Sequence, residues 1–343
     1  MTDEKKMILD MLSQGKITAE EAQNLLEALP QQPETSQDTQ RDATGKTKEA
    51  PQSIMGGIME SIRSGFSGID FSDFSVEFSD SSRITLEESH SGQFDSQQVE
   101  LDLQARNGSI RVESWEQPEY KLDVIKRVKA ATREQAEDLA AQYSFAKIAG
   151  DKLRAGDQES KKNGKRINVS LRLRLPKGHS YTGLVKTMNG SIDISGLDVD
   201  QLEISSMNGS VKLEDIRGND LQAKTVNGSL RLEGSLDSVS GNTTNGSISL
   251  SNFAEDSENH LGTVNGKIVA RVPARNDVGI SVLANTTSGS IKVYHTKLEG
   301  LESERKVASR RLEGQSSNWD RATHQVDLQL KSVNGSIRID DLD

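Results

Sequence analysis

The sequence predicts a mainly β protein: a β-solenoid of coils about 20 residues long, preceded by a separate N-terminal α-helical hairpin. A short phrase recurs at Asn189-Gly190-Ser191-Ile192, Asn208-Gly209, Asn227-Gly228, Asn245-Gly246, Asn265-Gly266, Ser288-Gly289 and Asn334-Gly335, with an early copy at Asn107-Gly108. From residue 189 the spacings are 19, 19, 18, 20, 23 and 46, the last being twice 23, and a period near 20 marks a repeat architecture. Other columns align when the copies are stacked on the Asn. Two residues earlier stands a hydroxyl: Thr187, Ser206, Thr225, Thr243, Thr263, Thr286 and Ser332. Four earlier stand Val185, Ile204, Ala223, Gly241, Leu261, Ala284 and Leu330, and five later Ile194, Leu213, Leu232, Leu250, Ala270, Val293 and Ile339. Within each arm apolar and polar positions alternate with the strand period of two.

Two architectures fit these columns. Asn and Gly tolerate positive φ, so the pair turns the chain sharply. In an antiparallel β-meander each pair is a hairpin turn, with Thr225 opposite Leu230. In a solenoid each pair is a corner, and every coil stacks on the last. Recurrence of one residue type at one place, the nearly constant period and the tendency of a long flat meander to curl or split all favour the solenoid.

Residues 1–29 predict a helical hairpin. Met7, Ile8, Met11 and Leu12 share one helical face, Gly15 breaks the first helix, and Thr18 with Glu21 forms a capping box for the second. Ala22, Leu25, Leu26 and Leu29 give the second helix its apolar stripe before Pro30 stops it. Two short helices do not bury both stripes alone. The hairpin therefore docks on its own chain, on a second copy or on another protein, and Met7, Ile8, Met11, Leu12, Leu25, Leu26 and Leu29 are the candidate contact residues. Residues 30–53, polar and nearly free of large apolar side chains, predict a disordered linker.

Residues 54–82 are an amphipathic segment and the entry to the β body. Ile54, Met55, Ile58, Met59, Ile62 and Phe66 recur at helical spacing, though Gly56, Gly57 and Gly65 weaken the helix. Residues 54–66 suit peripheral contact with a membrane interface, although Arg63 is their one basic residue, or a short helix capping the first coil. The β-repeat domain spans 83–343. Within it Thr132 looks like an N-cap for a helical insert at 132–142, and Lys161, Lys162, Lys165 and Arg166 form a basic hairpin tip. The charged stretch 298–321 reads as a loop excursion one coil long.

The composition fits thin β layers: 33% hydrophobic and 4% aromatic residues. A net charge of −10 without a basic patch argues against a nucleic-acid partner. There is no cysteine, hence no disulfide and no thiol-ligated metal. No signal peptide and no membrane-spanning apolar run is visible, so the expected location is cytoplasmic, with membrane or envelope association open.

No catalytic or cofactor signature stands out. The five histidines, His90, His179, His260, His295 and His324, read as surface or turn residues. A polysaccharide-cleaving β-helix would need carboxylates converging from neighbouring coils. Asp193, Asp198, Asp200, Asp215 and Asp220 are the candidates, although Asp is common at bends. The Asn column is read as structural, since stacked amides can hydrogen-bond along the coil axis.

The stretch from Ile8 to Ala22, Ile-Leu-Asp-Met-Leu-Ser-Gln-Gly-Lys-Ile-Thr-Ala-Glu-Glu-Ala, resembles the SHOCT-like helical hairpin of YvlB-like and LiaX-like proteins of Gram-positive bacteria. The repeats, with Leu173-Arg174-Leu175-Pro176-Lys177-Gly178 before them, resemble the putative-adhesin β-strand-repeat family of the same proteins. The resemblance covers 1–29 and about 83–341. It implies a non-enzymatic, solenoid-like protein linked to the cell envelope and its stress response, with no catalytic residues to carry over. The leading expectation is an interaction scaffold whose helical module binds itself or a protein partner. The alternatives are an adhesin-like module for glycan or cell wall and, third, a polysaccharide-active enzyme.

Overall fold

The computed structural model describes residues 83–156, 167–298, 300–301, 303–306 and 309–342. The helical hairpin, the linker, the segment 54–82 and the basic cluster at 161–166 lie outside them. The chain divides into two compact units, Met1–Lys48 and Glu49–Asp343, and every described residue belongs to the second.

The repeats build a solenoid of two stacked layers joined at the Asn-Gly corners. In the first layer β2 (Gln98–Ala105), β8 (Ser180–Thr187) and β10 (Asp198–Ser206) run parallel. The second halves of β11 (Val211–Thr225) and β12 (Leu230–Asn245) continue the stack, followed by β14 (Ser257–Asn265). In the second layer β3 (Ile110–Trp115), β9 (Ile192–Ser195), the first halves of β11 and β12, β13 (Ile248–Asn252) and β15 (Ile268–Pro273) do the same. Pairing between consecutive copies is parallel, so Thr225 lies beside Ser206 and Thr243 rather than opposite Leu230. The hairpin meander is therefore not the fold. The long strands β11 and β12 pass from one layer into the other. In β11 the opposite corner is marked by a register shift between Leu213 and Ile216, with Asp215 at φ 52°.

The coils do not all stack in chain order. At the C-terminal end the coil β20 (His324–Asn334) and β21 (Ile337–Leu342) is wedged between two earlier coils. On one side it pairs with β14 and β15, on the other with β16 (Val278–Ser288) and β17 (Ile291–Tyr294). The stretch expected to be a loop at 298–321 instead contains two strands, β18 (Glu304–Lys306) and β19 (Ser309–Gln315). Strand β19 runs antiparallel along β16 and closes the outer edge of the first layer. The N-terminal end repeats the device. Coil β2–β3 lies between β8–β9 and the later strands β6 (Lys152–Gly156) and β7 (Ile167–Pro176). Beyond these, β4 (Tyr120–Lys129) is antiparallel on β7, β1 (Arg83–Gly92) antiparallel on β4, and β5 (Ala146–Ala149) antiparallel on β6. Antiparallel caps blunt edges that would otherwise invite further strands. Helix α1 (Arg133–Ala141) links β4 to β5, with the Thr132 hydroxyl accepting from the Gln135 N–H at 3.3 Å.

The column four residues before each Asn lines one wall of the core, and the column five after lines the other. Gly241 sits in the first column because Leu261, Leu232 and Leu230 crowd the place where its Cβ would be. Each fully buried Leu or Ile contributes about 1.5–3 kcal/mol by leaving water. Many small increments of this kind hold a core that contains few aromatic rings.

Candidate interaction faces

At the corners, three columns of polar groups bond from coil to coil. Asn189, Asn208, Asn227, Asn245, Asn265 and Asn334 each donate Nδ2–H to the Oδ1 of the neighbouring corner Asn at 2.7–3.0 Å, starting from Asn107. The hydroxyls of Thr187, Ser206, Thr225, Thr243, Thr263 and Thr286 donate to the adjacent coil's corner-glycine carbonyl at 2.8–3.0 Å, and Ser332 does so at 3.4 Å. Each such buried bond is worth about 1 kcal/mol net, and more is lost if the carbonyl is left unmet.

The corner glycines are needed for a reason other than the one the sequence suggested. Among the described residues positive φ occurs at Asp215 and seven glycines, none of them a corner glycine. Instead, a Cβ on Gly209, Gly246 or Gly335 would stand 1.8–1.9 Å from the carbonyl oxygen of the next coil's glycine. Backbone meets backbone here, and only a residue without Cβ fits.

The acidic candidates do not gather. Asp193 lies in the second layer, 3.8 Å from Arg111. Asp200 accepts from Asn219, Asp215 pairs with Arg217 at 2.7 Å, and Asp220 accepts from Ser238. Asp198 is exposed at the start of β10.

One trio among the described residues does bring metal-type ligand atoms together: those of Glu255, Asp277 and His324 lie within 4.8 Å of one another. Arg275 already bonds Glu255 and approaches Asp277 at 3.3 Å, so the positive charge a metal would supply is present. His324 Nδ1 bonds Asp256 Oδ2 at 2.6 Å, and the Gln325 N–H donates to Asp256 Oδ1 at 2.7 Å. The Asp256 hydrogen bond raises the His324 pKa and lowers that of Asp256. The cluster works as a latch, fastening the start of the wedged coil to the turns before β14 and β16.

His295 is not a surface residue. It is 1% exposed, bonds the Val272 carbonyl at 3.2 Å, and burial lowers its pKa. Asn252, buried beside Asn259, uses its amide on Leu236 N and O, Ala254 N and Asn259 Oδ1. That network plugs a break in the repeat and leaves no amide group for a ligand. Neither was legible as a recurring column, because each occurs once.

Two outer faces remain. On the second layer, the position after each Ile of the phrase points outward. In stack order it holds Arg172, Arg111, Asp193, Lys212, Arg231, Ser249, Val269, Arg338 and Lys292. On the first layer, the position between the inward hydroxyl and the Asn forms an outer stripe: Met188, Met207, Val226, Thr244, Val264 and Val333. Met188 is 6% and Val264 8% exposed, yet neither belongs to the solenoid's core cluster. Beside the stripe, the outward Ser205, Lys224 and Asn242 are 0%, 5% and 9% exposed.

The fold and its corners define a parallel β-solenoid whose recurrent polar groups are spent on stacking. Sequence comparison gives the family: the chain belongs to the family described as Toastrack DUF4097, matched over residues 146–341. Residues 3–32 match a SHOCT-like domain. No curated protein matches the chain. Solved structures similar to it include a putative cell adhesion protein from Clostridium sporogenes, at 9% identity and TM-score 0.35, covering 76% of this chain and 100% of that one. A putative adhesin from Bacteroides fragilis matches at 14% identity and TM-score 0.42, covering 75% and 97%. A putative lipid binding protein from Parabacteroides distasonis matches at 14% and 0.36, also covering 75% and 97%.

Proposed function

We propose that the protein is a non-enzymatic interaction scaffold: a stiff β-solenoid that carries a tethered SHOCT-like module for self-association or capture of a protein partner. The observation that carries this reading is how the polar groups of the solenoid are used. The Asn, hydroxyl and glycine columns bond to one another, the acidic candidates are dispersed, and the His324 cluster is closed by Arg275. The resemblance to YvlB-like and LiaX-like proteins supports a role in the envelope-stress response and a cytoplasmic or envelope-associated location. No helix among the described residues is long and apolar enough to cross a membrane. Amine cross-linking of the full chain, in cell extract and alone, tests the scaffold reading, because Lys5, Lys6 and Lys16 place reactive groups in the module. Intermolecular links should concentrate on residues 1–29 and vanish in Met11→Asp/Leu25→Asp. Links confined to the solenoid would count against it.

The outward cation row on the second layer favours a second reading, an adhesin-like module. Six of its nine positions are Arg or Lys, in the order set by strand register. Neighbouring strands repeat at about 4.8 Å, so the row offers regularly spaced cationic side chains, of which Arg111, Lys212 and Arg338 also pair with Asp193, Glu214 and Asp340, to an extended anionic glycan or wall polymer.

A further inference from the structure

We propose that β17 is a docking edge: an extended peptide segment of a partner protein, apolar at alternate positions with a carboxylate between them, adds to it as one more strand of the second layer. The bonds from coil to coil carry this inference. In the second layer the N–H at the Ile position donates to a carbonyl of the next coil. The series runs coil by coil from Leu171 N–H on Ser109 O to Ile337 N–H on Ser290 O, at 2.8–3.1 Å. Ile291 is the next donor in that series, and among the described residues no further coil offers it a carbonyl. A strand in a parallel ladder turns alternate residues to its two sides. With Ile291 beside Ile337, and Ile337 bonded to Ser290, Lys292 turns its N–H and C=O toward β21. Ile291 and Val293 therefore turn theirs outward. The other three ends of the layers are finished by antiparallel strands: β5 beyond β6, β19 and β18 beyond β16, and β4 and β1 beyond β7. Among the described residues β17 pairs with β21 alone. The core is thinner there too. Ile291 is 8% exposed and Val293 half-buried, whereas their counterparts in the wedged coil, Ile337 and Ile339, are both 0% exposed.

The side chains of the edge select its occupant. A strand laid on β17 sets its inward residues beside Ile291 and Val293, where apolar groups complete the wall of the core, and an outward residue beside Lys292. Lys292 is exposed and has no ion-pair partner among the described residues. Its neighbour Arg338 is already engaged by Asp340 and by the ring of Tyr294. The chain itself shows which group suits a cation in this column. In β9 Asp193 stands between Arg111 and Lys212 and pairs with Arg111, while Ile192 and Ile194 point inward. A lysine on a bare edge discourages pairing with a like edge, so the complement is a strand of opposite charge rather than β17 of a second copy. Tyr294, 55% exposed at the end of the strand, offers a ring to the next outward side chain. Recognition of this kind takes its affinity from main-chain bonds and its selectivity from alternate side chains.

The probe is a fluorescent peptide with the sequence of residues 190–197, Gly-Ser-Ile-Asp-Ile-Ser-Gly-Leu, capped at both ends and titrated with the full-length protein by anisotropy. Val293→Pro removes an outward N–H and spares the β21 ladder, since proline is tolerated where the N–H faces away from the sheet. It should weaken binding about tenfold. Lys292→Glu should weaken binding of this peptide severalfold and strengthen binding of one with Lys in place of its Asp. The peptide backbone gives a test that leaves the protein untouched. N-methylation of one alternate set of its amides should abolish binding and methylation of the other set should not, because only one edge of the peptide meets β17. Equal tolerance of both sets would overturn the proposal, as would wild-type affinity in a folded Val293→Pro or a wild-type titration that does not saturate. So would self-association that Val293→Pro abolishes and the peptide does not displace, which makes a second copy the occupant. Retained β circular dichroism separates loss of the edge from unfolding.

Discussion

Asn334 Nδ2 donates to Asn265 Oδ1 at 3.0 Å across 69 residues of sequence, while Ser288, much nearer to Asn265 in the chain, sits one coil farther out beside Asn334. The wedged coil is thus an interior layer of the stack. Leu328, 0% exposed between Asn259 and Val282, belongs to it. Leu328→Ala should cost about 2–5 kcal/mol, as for interior Leu→Ala changes generally. Chemical denaturation would check this, and a loss below 1 kcal/mol would show that the coil is only loosely held.

The corner glycines make a sharper forecast. Gly246→Ala places a Cβ 1.9 Å from the Gly228 carbonyl oxygen and 2.6 Å from its carbon, and neither is the tip of a movable side chain. The two coils must separate locally, which also threatens the Thr263-to-Gly246 hydrogen bond. The expected loss is about 3 kcal/mol or more, beyond ordinary overpacking. Gly150→Ala, where no atom lies within 4 Å of the added Cβ, is the comparison for backbone strain alone at φ 57°. A Gly246→Ala melting point equal to wild type would refute the close-approach account.

The latch on the wedged coil should be visible as pH dependence. The pKa of His324 is raised chiefly by its hydrogen bond to Asp256. Its contribution is fully present below the unfolded value of about 6.5 and is lost as pH rises through the raised folded value. Asp256, lowered by the same bond and by Gln325 N–H, contributes above about 3.9 and loses that contribution as pH falls through its lowered value. Buried His295 acts with the opposite sign to His324: its lowered pKa makes folding less favourable as pH falls below about 6.5. Melting temperatures of wild type and His324→Gln between pH 5 and 9 should therefore converge on the alkaline side. A gap that stays constant across that range would show that His324 acts by packing alone.

The cation row predicts salt-dependent retention of the full chain on immobilised polygalacturonate. Arg111→Glu/Arg231→Glu reverses two exposed charges of that row and should elute at clearly lower salt, because screening acts directly on such contacts. Equal elution of the two proteins would remove the main support for an adhesin-like module.

Much of the solenoid was legible because stacking imposes one residue type at one place: the hydroxyl before Asn227 and the hydroxyl before Asn245 meet the same carbonyl geometry. The order of stacking was not legible for the same reason. Every copy carries matching columns, so nothing in Asn334 distinguishes Asn265 from Ser288 as its inner neighbour. The His324 latch inherits that blindness, since Asp256 is 68 residues away and becomes its neighbour only once the coil is wedged. The outer stripe went unread because Met188, Val226 and Thr244 share an outward position but no chemical type.

The wedged coil also sets an order of events. When the chain leaves the ribosome, β16 and β17 are made before β20 and β21, and at that moment the exposed side of β14 and β15 offers them a complementary surface. A stack with Ser288 on Asn265 formed before β20 is made would have to open to admit that coil. Synthesis and assembly are thereby uncoupled: the eleven residues of β20, with β21 after them, complete the middle of a stack whose outer layer has already been made. A slow late phase in refolding, absent from a circular permutant in which β20–β21 precede β16–β17, is the kinetic trace such a topology leaves.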